Sequence, residues 1–298
     1  MSASPALQAA LADAAREIDA RFDVLLAVPD DPRADLYRAM RHAAIDGGKR
    51  LRPLLVFATA QLFGCDRDCT ARVATALEAI HVYSLVHDDL PAMDDDDLRR
   101  GRPTVHKVYG EATAVLAGDC LHALAFEILA DPQTHPDPFV RAELVLDLAR
   151  AAGPAGMAGG QMMDLEAERS SFDLATVTRL QAMKTGALIA AAVEAGAILG
   201  RVPPEGRTAL RGYARDVGLA FQIVDDLLDV EGDEALAGKK LRKDGAAGKE
   251  TFVSLLGAEA ARERCRILVD QAIVHLRHYG READLLRDIA RFVLSRDH

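Results

Sequence analysis

The sequence predicts an all-α protein, and three observations carry that expectation. Alanine and leucine dominate the chain, with apolar residues returning at steps of three and four. No period-2 run bounded by turn residues stands out as a strand. Glycine and proline instead punctuate the chain at helix-length intervals. Helices are expected at 5–27, 34–46, from near Pro53 to Gly64, and at 68–90, 111–130, 137–152, 155–169, 173–200, 207–231, 258–279 and 281–296. "DPQTHPDP" and "EGDEALAGKKLRKDGAAGKET" read as loops. With no low-complexity linker and no fixed-period repeat, residues 1–298 are expected to form one domain, a bundle of ten or more helices.

Taken in order, the N-terminal helix alternates apolar and charged residues and lacks the basic start and unbroken apolar core of a signal peptide. "GGKRLRPLLVFATAQLFG" opens with glycines and cations and enters its helix near Pro53. In the helix over 68–90, Val73, Leu77, Ile80 and Ser84 form a stripe whose next step of four lands on Asp88, with His81 beneath it on the same helix. The longest apolar run, "TGALIAAAVEAGAILG", reads as too short to span a bilayer and carries Glu194, so no membrane insertion is expected. In "GLAFQIVDDLLD", Gly218, Gln222, Asp225 and Asp229 share one face.

Composition narrows the function. The chain has 298 residues, 50% hydrophobic and 28% charged, enough to bury a sizeable core. A net charge of −10 argues against nucleic acid as a partner, although it leaves room for a small basic pocket. Four cysteines form no disulfide framework in a chain this long; Cys65 and Cys69 lack a second pair at finger-like spacing and read as reduced cytoplasmic thiols.

The acidic residues carry the chemistry. Six aspartates fall within 88–97, and a second group, Asp225, Asp226 and Asp229, ends another apolar helix. Carboxylates this close repel one another unless a cation lies between them. Two such clusters facing across a bundle suggest hard cations, and all-oxygen ligands favour magnesium, which bridges carboxylates to phosphate. Basic residues bracket both clusters: Lys49, Arg50 and Arg52 in "GGKRLRP", Arg99 and Arg100 after the first, Lys184 in "MKTG", and Lys239, Lys243 and Lys249 after the second.

With "GGKRLRP", "DDLPAMDDDDLRRG", "GEATAVLAGD", "GGQMMDLEAE", "KTGALI", "FQIVDDLLDV" and "GKKLRKD" in this order, the chain resembles the trans-type isoprenyl diphosphate synthases, closest to the short-chain bacterial farnesyl diphosphate synthase group. The resemblance covers nearly the whole chain. It implies an isoprenoid-synthase bundle around a central cavity, a homodimer, and head-to-tail condensation of isopentenyl diphosphate with dimethylallyl and then geranyl diphosphate. It further implies three magnesium ions, held by Asp88, Asp89 and Asp94 on one side and by Asp225 and Asp226 on the other, with Asp229 acting through water. Arg99, Lys184 and Lys239 would complete the allylic diphosphate pocket. Lys49, Arg52, His81 and Arg100 would hold isopentenyl diphosphate, with backbone from Gly48. Thr185 and Gln222 match positions whose oxygens face the allylic carbon. The family's chain-length floor lies five positions before the first motif aspartate, here Tyr83, with Ser84 after it; five helical residues are about 7.5 Å of depth. That residue and the four-residue spacing between Asp89 and Asp94 favour farnesyl over geranylgeranyl diphosphate as product. A terpene cyclase would carry a different second motif in place of "DDLLD", and a non-catalytic subunit would have lost ligands that stand here. Two departures from the family are "KETFVSLLG", with Phe-Val where relatives often show Tyr-Pro, and the bulky residues within "GKKLRKD".

Overall fold

A computed structural model describes residues 4–231 and 249–295. Helices account for most of the described chain: α1 (Pro5–Leu25), α2 (Ala34–Ala44), α3 (Leu51–Leu62), α4 (Arg67–Asp88), α5 (Val105–Tyr109), α6 (Glu111–Ala130), α7 (Pro138–Ala152), α8 (Met157–Glu166), α9 (Leu174–Gln181), α10 (Ala187–Leu199), α11 (Thr208–Glu231), α12 (Phe252–Leu256), α13 (Ala258–His275) and α14 (Asp284–Leu294). Their starts follow local chemistry. Ser4 caps α1 by accepting from the Leu7 amide ahead of Pro5, Asp66 caps α4 through Cys69, and Asp173 caps α9 through Thr176.

The core runs from α1 to α14 through α4 and α10. In α4, twelve residues are buried, including Val73, Leu77 and Ile80, so the apolar stripe does run toward Asp88 at its C-terminal end. Helix α10 is buried on nearly every side and packs against α3, α7 and α11. Gly196 makes that possible: a β carbon there would lie 2.6 Å from Thr59 Cβ and 2.7 Å from the Ala60 amide. Tyr213 of α11, fully buried, donates its hydroxyl proton to the Leu286 carbonyl at 2.7 Å and so ties α11 to α14.

Four features depart from the periodicity reading. A two-stranded ribbon pairs Leu98 with Pro103 and Arg99 with Arg102, too short to produce an alternating pattern. Short helices α5 and α12 fall below the length at which periodicity registers. The helix expected over 173–200 is interrupted by a π-helical segment, Ala182–Gly186. That continuous stretch also corrects the membrane reading: Leu174–Leu199, like Glu111–Ala130, is long and apolar enough to cross a bilayer, but 61% of its most apolar window is buried inside the protein. The "EGDEALAGKKLRKDGAAGKET" loop, with Lys239 and Lys243, lies mostly outside the described residues.

Arg50, grouped by sequence with the phosphate donors, has a different place. It sits at the start of α3 with φ +50°, 2% exposed. Its guanidinium donates to Glu78 Oε1 at 2.7 Å, to Asp19 and to the Ala44 carbonyl. Bound through both terminal nitrogens to three partners, it locks α3 to α1 and α4 rather than facing a ligand. Replacing Glu78 by Ala removes the buried partner, and denaturant unfolding should then show a loss of about 3–5 kcal/mol. A loss below about 1 kcal/mol, typical of exposed pairs, would contradict the locking role.

Candidate active site

The candidate residues gather around the π-helical segment Ala182–Gly186. Two helices press directly on its backbone. A β carbon on Gly160 of α8 would stand 2.2 Å from the Lys184 amide nitrogen, and one on Gly218 of α11 would stand 3.2 Å from Gly186 Cα. The segment's wider turn is of the kind that recurs at functional sites. Here it presents Lys184 and Thr185 to a cavity of about 370 Å³.

The other walls bring together five more of the expected residues: Arg52 from α3, and His81, Tyr83, Ser84 and Asp88 from α4. Helix α8 supplies an apolar side with Met157, Met162 and Leu165. Asp88 is the electrostatic anomaly. Burial, with the neighbouring Asp94 and Asp89, pushes its carboxyl up to about 6 against the pull of Lys184 and Arg99. Among the described residues its carboxylate has no hydrogen bond or ion pair. Such a group is costly in a half-buried position unless a cation joins it. Oxygen-only donors fit magnesium. No three His, Cys, Asp or Glu side chains among the described residues form a ready-made cage, and magnesium ordinarily completes its shell with waters and substrate phosphates.

Asp89, the next residue, points elsewhere, because consecutive helical side chains diverge by about 100°. It is 3% exposed and accepts from both Nε (2.9 Å) and Nη2 of Arg99. Both line a smaller neighbouring cavity of about 50 Å³ with Arg100. The Arg100 guanidinium fills the space a side chain would need at Gly48, 2.4 Å from a β carbon built there, and Gly48 also has φ +77°. Glycine takes that backbone conformation without strain and leaves the guanidinium its place. Lys49 and Asp94 are exposed, and the Asp94 amide donates to the Asp88 carbonyl at 2.8 Å.

The second acidic group joins the cavity through side-chain bonds. Thr185 Oγ1 donates to Gln222 Oε1 at 3.0 Å, and Gln222 Nε2 donates to Asp226 Oδ1 at 3.1 Å. Asp226, 2% exposed, also accepts from the Phe252 amide at 2.9 Å. Asp225 and Asp229 remain half-buried on the same helix. Burial, followed by the guanidinium charges of Arg52 and Arg100, pushes His81 well below the ordinary imidazole value, so it is neutral at pH 7.

Residue-level reasoning passed over three participants. Gln161 lines the cavity with both amide atoms buried and without a partner. Asp164, one turn further along α8, accepts from Lys184 and Lys249. His122 of α6 meets the Tyr83 ring edge-on at 4.9 Å. The first two lie within "GGQMMDLEAE", where their spacing of three on one helix was the available signal. His122 carried none.

Comparison with known proteins places the chain as a whole. The polyprenyl synthetase family model matches residues 33–284. A farnesyl diphosphate synthase of Escherichia coli is 46% identical over 267 residues, covering 87% of this chain and 88% of that one. Among solved structures, an FPP/GFPP synthase from Zymomonas mobilis is 56% identical with a TM-score of 0.89, covering 97% and 98% of the two chains. A geranylgeranyl pyrophosphate synthetase from Pyrococcus horikoshii is 30% identical with a TM-score of 0.86, covering 97% and 99%. Matched over most of its length in all these ways, the chain belongs to the polyprenyl synthetase family.

Proposed function

We propose that this chain is a magnesium-dependent prenyltransferase that joins isopentenyl diphosphate head-to-tail to dimethylallyl and then geranyl diphosphate, releasing farnesyl diphosphate. The observation that carries it is the Asp88 carboxylate, without a hydrogen bond or ion pair among the described residues, in one cavity with Lys184, Thr185, Arg52 and His81, above an apolar wall. The relatives' names supply the substrate class.

In this reading Asp88, Asp89 and Asp94 with Asp225, Asp226 and Asp229 hold three magnesium ions, which supply charge stabilisation for the departing diphosphate. Lys184, Arg99 and Lys239 bind that diphosphate. Lys49, Arg52, Arg100 and neutral His81, with the Gly48 backbone, hold isopentenyl diphosphate; a neutral imidazole can donate one hydrogen bond without adding charge to a crowded cationic pocket. Thr185 and Gln222, fixed by their bonds to each other and to Asp226, direct oxygens at the allylic cation. Met157, Met162 and Leu165 keep water from it. The continuous core from Leu7 to Val293 supports one domain over 1–298. A cytoplasmic homodimer, as the family resemblance implies, completes the proposal.

Tyr83, half-buried with Ser84 in the cavity wall, is the proposed floor. Purified protein with magnesium, isopentenyl and dimethylallyl diphosphates should give the C15 product, and Tyr83→Ala should give longer chains. A C25 product from the parent, as the Zymomonas FPP/GFPP synthase would suggest, would keep the reaction and discard the floor.

Asp88→Asn should lower kcat about a hundredfold or more, the scale of losing one electrostatic stabiliser of the transition state. Chelation should abolish turnover and added magnesium restore it; unchanged turnover in the variant refutes the ligand assignment. His81 should keep the NMR shifts of a neutral ring between about pH 6 and 8. Its folded-state value lies below the unfolded one near 6.5, so its contribution to stability is complete above 6.5 and is lost as pH falls toward the folded value. A ring that titrates near 6.5 would contradict the burial argument.

A further inference from the structure

Outside the proposed ligands, one carboxylate beside the cavity gathers two lysines. Asp164 Oδ2 accepts from Lys184 Nζ at 2.9 Å and from Lys249 Nζ at 2.9 Å. Lys249 also reaches Glu168 at 3.2 Å. Burial alone would raise the Asp164 carboxyl, but the two lysines hold it below its ordinary value.

The backbone around this group is fixed from both directions. Gly160, one turn before Asp164, lets α8 lie against the Lys184 backbone itself. Three residues after Lys249, the Phe252 amide is bound by Asp226, the residue that also holds Gln222. The stretch 249–252 is therefore held by Asp226 at one end and by Asp164 at the other. Lys184 lines the cavity, whereas Asp164 does not.

We infer that Asp164 is a positioning residue for diphosphate: by holding Lys184 and Lys249 on a single oxygen, it aims the Lys184 ammonium into the cavity and restrains two like charges that would otherwise separate. A lysine has a long, rotamer-rich side chain, and ordering it before the anion arrives removes part of the cost of binding. An ammonium has three donors, so Lys184 can keep its bond to Asp164 and still donate to a phosphate oxygen. The inference rests on the diphosphate reading above.

The test is a double-mutant cycle with Asp164→Asn, Lys184→Met and the pair, read both by turnover and by calorimetric binding of inorganic pyrophosphate with magnesium. Asp164→Asn should lower kcat with geranyl diphosphate about tenfold or more, leave KM for isopentenyl diphosphate within about twofold, and weaken pyrophosphate binding. In the Lys184→Met background the same change should alter either quantity by no more than about twofold, because the residue it acts through is gone. Asp164→Glu, which keeps the charge, should recover part of the loss. Additive effects would overturn the inference and leave a general structural role. Tighter pyrophosphate binding by Asp164→Asn would also overturn it, showing that the carboxylate competes with the anion for the lysines. If the parent binds pyrophosphate but makes no prenyl product, the reaction assignment fails while the binding cycle still decides the role of Asp164.

Discussion

The cavity depends on a close backbone contact made by two glycines. Gly160 and Gly218 let α8 and α11 lie against Ala182–Gly186 from different sides, at distances where a methyl group could not fit at Gly160 and would be tight at Gly218. Held this way, the segment keeps its π-helical turn, and that turn sets where Lys184 and Thr185 project. The contact also brings α11 close enough for Gln222 to reach Thr185. A rigid backbone under the reacting groups is what electrostatic stabilisation needs, since donors that must reorganise lose much of their benefit.

Around that support the charges divide into satisfied and unsatisfied sets. Arg50 pairs with Glu78 and Asp19, and Arg207 and Arg211 pair with Glu143 and Glu194 near α10. Asp226 is bound by an amide and a side chain. Asp88 and Asp147 hold their protons more tightly than a carboxyl normally does, and of the two Asp88 lines the cavity. An acid left unpaired in a cavity beside Lys184 and Thr185 places free energy where a bound cation can recover it.

Much of this was legible in the chain. Long helices such as 111–130 and 207–231 are set by apolar spacing over many turns, and their limits agree with the structure within a residue. The acidic groups were legible because charge on an apolar helix face is rare and costly. What the sequence concealed is local or three-dimensional. A π turn leaves no mark in a 3.6-residue period, and the ribbon at 98–103 is shorter than any alternation that could reveal it. Arg50 and Arg52 are indistinguishable as residue types; only the positive φ of Arg50 turns one inward. The pairing of Asp89 with Arg99 joins two residues that sequence could name but could not set facing each other.

That pairing also bears on the acidic loop between them. Besides the Asp89–Arg99 bridge, the loop is stitched by the Met93 and Asp95 amides to the Leu90 carbonyl, by the Asp94 amide to the Asp88 carbonyl, and by Thr104 to the Asp96 and Asp97 carbonyls. Its shape is thus set by the protein's own bonds, although four consecutive aspartates would favour an expanded, self-repelling coil. The ordering entropy of the loop is met during folding rather than at the moment of ligation. A cation arriving there finds a surface already in place, so its affinity reflects coordination and charge with little drawn off to organise the chain.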